Sequence, residues 1–157
     1  MTALEVADWR RQVFALYAAV RESPDLYAAD DLWRRGRDRL FESHPSTPLL
    51  PDDRAVLTGL PVRPYDPDWR FEAVIEPAPF ARIEVETATD GVVPFERIGL
   101  VGIPSIGELD VWRLASYGGG LFLPVKDALA GTPGGTYGGG RYLLDTVKGA
   151  DLGSTPT

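Results

Sequence analysis

Ala81-Arg82-Ile83-Glu84-Val85-Glu86 is a stretch in which apolar and charged residues alternate one by one. The preceding run, Trp69–Glu76, alternates in nearly the same way. A period of two is typical of an antiparallel strand with one face against the core and the other in water. Both runs therefore predict strands, and they begin a sheet region.

More strands are expected toward the C-terminus. The pattern predicts them at Val92–Ile103, Leu109–Tyr117, Leu121–Val125 and Tyr142–Val147. Asp90-Gly91 is typical of a two-residue hairpin turn. The apolar phase slips by one position between Val111 and Trp112, which predicts a β-bulge there. Short strands at this spacing indicate a curved antiparallel meander, sandwich- or barrel-like in shape.

The first 44 residues predict two helices. Thr2 and Glu5 have the spacing of a capping box, in which each side chain binds a free N–H group of the first turn. Apolar residues then recur every three or four positions up to Val20, which indicates one buried stripe. Ser23-Pro24 is suited both to end this helix and to open the next one. The second helix is predicted to end at His44-Pro45.

We therefore expect a single α+β domain over residues 1–157, with the two N-terminal helices packed on the sheet. Its parts are a helical segment (1–44), a proline-rich connector (45–68), the β-meander (69–150) and a polar tail (151–157). Six prolines interrupt the connector, which leaves room for one short helix around Asp52–Leu57.

The composition excludes several kinds of chemistry. The chain has no cysteine and one histidine, so disulfides, cysteine–zinc sites and thiol catalysis are excluded, and no metal site is expected. Its net charge of −7 argues against a nucleic-acid partner. The basic cluster at residues 34–39 is diluted by acidic residues, which indicates a solvated helix face.

Targeting and cofactor motifs are not visible in the sequence. No apolar run approaches the roughly 20 residues of a membrane span, and the N-terminus shows no secretory signal. We therefore expect a cytoplasmic protein with no membrane partner. The sequence has neither a G-x-G-x-x-G fingerprint nor a Gly-Lys-Ser/Thr loop, so no cofactor is expected.

The glycine-rich segment before the last predicted strand is the strongest candidate site. Six glycines fall between Gly131 and Gly140. Glycine permits positive φ angles and close backbone approach, so such a loop can aim N–H groups at an anion or a carbonyl. We expect the 118–141 loops to form a pocket for a small polar or anionic molecule. The predicted ligand-binding residues are Asp127, Tyr137, Arg141, Tyr142 and Asp145. The alternative is a long hairpin loop that an ion pair of Arg141 with Asp127 or Asp145 merely tethers.

His44 leads to a second hypothesis. It is the only side chain whose ordinary pKa lies near neutrality, which makes it the default general acid or base. A hydrolase-type enzyme would use His44 or Asp127 as its general base. The alternative is that His44 caps the C-terminus of the second helix. A triad of His44 with Ser43 or Ser46 and an aspartate lacks a Gly-x-Ser-x-Gly elbow and is rejected.

Several stretches resemble an uncharacterised family of bacteria and archaea, the proteins with "domain of unknown function 1684" (DUF1684). The resemblance covers about residues 40–153. It is carried by Phe41–Leu49, Gly59-Leu60, Pro64–Pro67, Phe122–Asp127, Thr136–Leu143 and Lys148–Gly153. It implies a bacterial type of protein in which Asp127, Tyr137, Arg141 and Tyr142 are important for function, without assigning a role to any of them. It implies no reaction, cofactor or catalytic residue.

The resemblance also implies a difference at the C-terminus. Family members continue with an Asp-Phe-Asn stretch and an Asn-Pro-x-Cys segment, which this sequence lacks. If those residues complete the sheet, an edge strand is left open, and an open edge favours pairing with another chain. A structural or assembly protein that forms a homodimer through this edge is the third hypothesis.

Overall fold

The computed structural model describes residues 2–87 and 91–156. It contains two long N-terminal helices and a five-stranded antiparallel sheet, so the predicted α+β class is confirmed. The chain divides into two compact units. The helical unit consists of the residues up to Pro67 and those from Lys148 onward, and the sheet unit is Asp68–Val147. The expectation of one domain stays a prediction.

Helix α1 (Ala3–Glu22) begins at the predicted capping box. The Thr2 hydroxyl accepts a hydrogen bond from the Glu5 N–H at 3.2 Å, and the Glu5 carboxylate accepts one from the Thr2 N–H at 2.5 Å. The helix ends at Ser23, as predicted, where the N–H of Ser23 donates to the Val20 carbonyl.

Helix α2 (Leu26–Ser43) begins later than predicted. Its N-cap is Asp25 rather than Ser23, because the Asp25 carboxylate accepts a hydrogen bond from the Ala28 N–H at 2.8 Å. The Ser23 hydroxyl instead donates to the Asp25 carbonyl. The end of α2 lies at His44, where it is predicted.

Gly36 in α2 is explained by the packing of the two helices. A Cβ atom at Gly36 would lie 2.5 Å from a methyl group of Leu16 on α1. The absence of a side chain therefore lets α1 and α2 approach closely, which offsets the roughly 1 kcal/mol that glycine costs in a helix interior.

The rest of the helical unit is irregular apart from α3 (Pro51–Ala55), the short helix expected in the connector. The C-terminal segment is tied to α1 in two places. The Arg21 guanidinium donates to the Asp151 carbonyl at 2.6 Å, and a Cβ at Gly149 would lie 3.1 Å from the Phe14 ring.

Each strand of the sheet unit pairs with the next one along the chain. The strands are β1 (Arg82–Thr87), β2 (Gly91–Ile103), β3 (Gly107–Leu114), β4 (Leu121–Val125) and β5 (Arg141–Asp145). Strands β1 and β5 are the two edges, so the sheet formed by the described residues is open and not closed into a barrel. The predicted turn at Asp90-Gly91 includes Asp90, which lies outside the described residues.

The predicted strand at Trp69–Glu76 is wrong. This segment follows a single 3-10 turn (Pro67–Trp69), and only Glu76 pairs with the sheet, through two backbone hydrogen bonds to Leu100. Pro77 and Pro79 follow directly. Since proline has no N–H to donate to a ladder, the pairing does not extend from Glu76 toward β1.

The predicted bulge exists, but it lies in the neighbouring strand. Arg97 pairs with Trp112 and Gly99 with Val111, which leaves Ile98 of β2 as the extra residue. The extra residue thus stands opposite the Val111–Trp112 step at which the apolar phase slips. Val111 and Trp112 point to opposite faces of the sheet, and both are buried.

Candidate functional site

The loop of residues 126–140 joins β4 to β5 and contains most of the predicted glycines. It is folded on itself, since the Gly131 N–H donates to the Thr136 carbonyl at 2.9 Å and the Gly140 N–H to the Tyr137 carbonyl at 3.0 Å. Gly131 and Gly140 have φ angles of +78° and +77°. A Cβ at Gly140 would also lie 2.8 Å from the Val125 carbonyl oxygen. The fold of the loop itself therefore requires these two glycines.

Asp127 organises this loop from within. Its carboxylate accepts a hydrogen bond from the Leu129 N–H at 2.7 Å and from the Thr136 hydroxyl at 2.9 Å. It also lies 3.7 Å from the Arg141 guanidinium. The ion pair named in the tether alternative is thus present, between Arg141 and Asp127.

Arg141 stands at the beginning of β5 with its side chain 55% exposed. The distance to Asp127 exceeds that of a hydrogen bond. No other acceptor for the guanidinium lies among the described residues 2–87 and 91–156. Arg141 is therefore held only by a weak surface ion pair, and its N–H donors face water.

Three successive peptide N–H groups in the loop are also without an acceptor in the part of the chain that the structure describes. They belong to Tyr137, Gly138 and Gly139. The Tyr137 side chain is 75% exposed, and its ring lies over Gly139, where a Cβ would be 2.6 Å from the ring. Free N–H groups and an exposed arginine thus occur within five residues of each other.

Tyr142 and Asp145 are not part of this arrangement. Tyr142 follows Arg141 in β5, and successive side chains of a strand point to opposite faces, so Tyr142 and Arg141 are on different sides of the sheet. The Tyr142 ring lies 6.2 Å from the Phe122 ring, centroid to centroid. Asp145 is buried and pairs with Phe122 at the far end of the strand. The predicted pocket is therefore not assembled from all five residues.

His44 belongs to the helical unit, whereas Asp127 belongs to the sheet unit. It is the C-cap residue of α2, as the alternative interpretation states, and it is only 5% exposed. Its Nδ1 accepts a hydrogen bond from the Ser46 N–H at 2.9 Å, and its Nε2 lies 3.3 Å from the Asp8 carboxylate. The Trp9 ring packs edge-on against the imidazole.

These contacts define the tautomer of the neutral imidazole. Because Nδ1 accepts a hydrogen bond, the neutral ring carries its proton on Nε2, and this N–H donates a hydrogen bond to the Asp8 carboxylate. Hydrogen bonds from the Gln12 side chain and then from His44 hold the pKa of Asp8 below its ordinary value. Both ring nitrogens are thus used within the helical unit.

A serine triad is not formed around His44. Ser46 offers its backbone N–H, not its hydroxyl, to the ring, and the Ser43 hydroxyl donates to the Arg39 carbonyl. Asp8 is the residue that sequence reasoning missed. It lies 36 positions from His44, and no spacing rule connects the two helices before their packing is known.

The basic cluster of α2 is only partly the solvated face predicted for it. Arg35 forms an exposed ion pair with Asp31. Arg34, however, donates to the Val62 carbonyl at 2.8 Å, and Arg37 donates to the Leu60 carbonyl at 3.2 Å. The reason is geometric, since the connector runs along this side of α2 and brings unpaired carbonyl groups to the arginines.

Other surface features of the described residues lie away from the predicted site. Surface depressions at the β2–β3 hairpin (Gly102–Glu108) and beside Arg54 contain none of the predicted site residues. Among the described residues, no three acidic or histidine side chains are grouped so as to hold a metal ion. None of the described helices is long and apolar enough to cross a membrane.

Comparison with known proteins identifies a family and no function. A family model described as "protein of unknown function (DUF1684)" matches residues 55–156, which include the whole sheet and the loop 126–140. The motif at Phe41–Leu49 lies outside the matched residues. No curated protein matches the chain. Since the match covers about two thirds of the sequence, the chain belongs to the DUF1684 family, and the predicted resemblance is confirmed.

Proposed function

We propose that the loop 126–141 binds a small polar or anionic molecule on the surface of the sheet unit. The observation that carries the proposal is the run of three unpaired N–H groups at Tyr137, Gly138 and Gly139 in the residues just before Arg141, whose guanidinium is exposed. Consecutive peptide N–H groups attract anions and carbonyl oxygens, and a guanidinium matches a carboxylate or phosphate with two parallel hydrogen bonds.

The position of Asp127 favours a ligand that has both an anionic group and a hydrogen-bond donor. Its carboxylate is fixed by Leu129 and Thr136 and stands 3.7 Å from Arg141. An anionic group on the ligand would bind to Arg141 and the loop N–H groups. A hydrogen-bond donor on the same ligand would bind to Asp127. Exposed ion pairs contribute about 0–1 kcal/mol, so a ligand can displace the Arg141–Asp127 contact at small cost.

The proposal is tested by titrating the ¹⁵N-labelled protein with inorganic phosphate, and separately with acetate, at constant ionic strength. We expect saturable shifts of the amide signals of Tyr137, Gly138 and Gly139. Arg141→Ala should weaken binding by about tenfold, the value of a charge-assisted hydrogen bond. Arg70→Ala is the matched control, because Arg70 is also about half exposed and also pairs with a carboxylate in the sheet unit.

Two outcomes contradict ligand binding at this loop. Shifts that stay linear with anion concentration, or that are equal in Arg141→Ala and Arg70→Ala, show only general screening. If Arg141→Ala instead lowers the melting temperature strongly, the tether interpretation is correct.

A catalytic role is not proposed. Both nitrogens of His44 are engaged by Ser46 and Asp8, and the ring is buried. General acid–base catalysis needs the group within hydrogen-bond reach of a substrate. A cytoplasmic location and a bacterial source stay predictions.

A further inference from the structure

Strand β1 has a free outer edge that is defined residue by residue. The Arg97 N–H of β2 donates to the Ala81 carbonyl at 2.9 Å, so the backbone groups of Ala81 point toward β2. Backbone direction alternates along a strand. The N–H and C=O groups of Ile83 and Val85 therefore also point inward, and those of Arg82, Glu84 and Glu86 point outward.

The outward-pointing groups have no backbone partner within the described part of the chain. Arg82, Glu84 and Glu86 are exposed, and their side chains lie together on one face. Ile83 and Val85 lie on the other face and are 43% and 41% exposed. The register of β1 on β2 is regular over all six residues. Such an edge is a template for another strand.

Its charges favour one occupant, a second copy of the same strand. Two β1 strands related by a two-fold axis run antiparallel, and one residue then faces its own equivalent on the axis. Residues opposite each other have side chains on the same face, so charged residues of β1 face charged residues, and like charges directly opposite are unfavourable.

Five registers place one of the residues 82 to 86 on the two-fold axis. Only one of them avoids placing like charges opposite each other. When Arg82, Glu84 or Glu86 is on the axis, that charged residue faces its own equivalent in the second copy. With Val85 on the axis, Glu84 faces Glu86 of the second copy, twice. With Ile83 on the axis, Arg82 faces Glu84 of the second copy, twice, and Ile83 packs against its own equivalent.

We propose that the chain forms a homodimer by antiparallel pairing of β1 with β1 of a second copy, centred on Ile83. The outward backbone groups of Arg82 and Glu84 then hydrogen-bond across the two-fold axis. Arg82 already lies 3.4 Å from Glu84 of its own chain, so the four charges alternate around the axis. The inference is independent of ligand binding at the loop 126–141, which lies on the opposite side of the sheet order.

The test is sedimentation velocity over protein concentrations up to about 1 mM, where weak dimers are detected. Glu84→Arg places Arg82 opposite a second arginine, twice, and should raise the dimer dissociation constant by at least about tenfold. Glu86→Arg is the matched control, since it changes the net charge equally but faces Phe80 of the second copy in this register. It should change the constant by less than about threefold.

A mixing experiment tests the pairing itself. Arg82→Glu and Glu84→Arg should each be monomeric alone, and an equimolar mixture should form heterodimers, because every charged pair is then opposite in sign.

Hydrogen exchange adds a local readout. The Glu84 amide should become protected as the wild-type concentration rises, whereas the Ile83 amide should be protected at all concentrations.

Three results overturn the proposal. The first is a wild-type protein that stays monomeric up to about 1 mM. The second is an equal loss of association in Glu84→Arg and Glu86→Arg. The third is a dimer whose Glu84 amide exchanges as fast as in the monomer, because that dimer uses a different surface.

Discussion

Two arginines of the helical unit and three of the sheet unit differ in what they bind. In the helical unit, Arg34 and Arg37 are three-quarters buried and donate to backbone carbonyls of the connector. In the sheet unit, the side chains of Arg82, Arg113 and Arg141 are about half exposed and pair with carboxylates. A guanidinium bound to carbonyl groups holds the backbone in place. A guanidinium in an exposed ion pair exchanges its partner at little cost.

The same contrast applies to the other candidate residues. His44 is buried among Asp8, Trp9 and Ser46, whereas Tyr137 projects into solvent. His44, Arg34 and Arg37 are therefore part of the fold of the helical unit. Tyr137 and Arg141 of the sheet unit are accessible to a ligand, whereas Arg97 of the same unit is mostly buried and donates to the Pro79 carbonyl.

The largest expected effect of this difference is on His44. His44→Ala removes the acceptor for the Ser46 N–H, the donor to Asp8 and the contact with Trp9, and leaves a cavity. We expect a loss of about 2–4 kcal/mol in the free energy of unfolding, measured by urea titration with helical circular dichroism.

Tyr137→Ala is the counterpart of this change in the sheet unit. Its side chain is mostly in water, so we expect a loss below about 0.5 kcal/mol. If His44→Ala is as mild as Tyr137→Ala, the buried polar contacts of the helical unit are not structural.

A smaller effect is expected at Arg37. Arg37→Ala removes the hydrogen bond to the Leu60 carbonyl and the packing of the guanidinium on the Trp33 ring, whose centroid is 4.4 Å away. The Arg37 Nε is buried without an acceptor among the described residues, and this cost offsets part of the stability that the two contacts provide. We expect a net loss of about 1 kcal/mol by urea titration.

Arg70→Ala removes an exposed ion pair with Glu72 and serves as the comparison. It should cost less than about 0.5 kcal/mol. Equal losses in the two variants would mean that burial does not distinguish Arg37 from Arg70.

The smallest expected effect is on the free energy of unfolding at acid pH, through Asp8. Hydrogen bonds from Gln12 and His44 hold the pKa of Asp8 below its ordinary value of 3.8, so the unfolded chain binds this proton more tightly than the folded one. Asp8 therefore adds stability above pH 3.8, and this contribution is lost as the pH falls through the lower, folded pKa. The stability difference between wild type and Asp8→Asn should shrink over this range.

Glu96 gives the matching measurement in the sheet unit. The hydrogen bond from Arg113, and to a lesser degree the nearby charges of Arg113 and Arg82, lower the pKa of Glu96. Glu96→Gln should show the same sign of pH dependence, and added salt should reduce it, because its partners are exposed arginines. A stability difference between wild type and Asp8→Asn that grows as the pH falls below 3.8 would contradict the direction given for Asp8.

Local rules predict the regular parts of this fold well. The capping box at Thr2, the helix end at His44 and the strand Leu121–Val125 depend on residues within a few positions of each other. The segment Trp69–Glu76 has the same period of two as β1, yet it pairs only at Glu76. Periodicity predicts which side chains share a face, but it does not say whether a neighbouring strand is present.

The candidate site is predictable only in part, for the same reason. Asp127 and Arg141 come together as expected because a hairpin loop joins two adjacent strands. Tyr142 does not join them, since its position next to Arg141 places it on the opposite face. The partner of His44 depends on how α1 packs against α2, and the sequence contains no short-range signal for that contact.

The extra residue at Ile98 is the position at which β2 can lose a residue without exchanging its faces. Arg97 pairs with Trp112 and Gly99 with Val111, so the residues on either side of Ile98 already point to opposite faces of the sheet. Loss of Ile98 alone would therefore give a regular ladder in which Leu100–Ile103 keep their partners and Val101 stays buried. Loss of Ile98 and Gly99 together would instead exchange the two faces of Leu100–Ile103 and expose Val101.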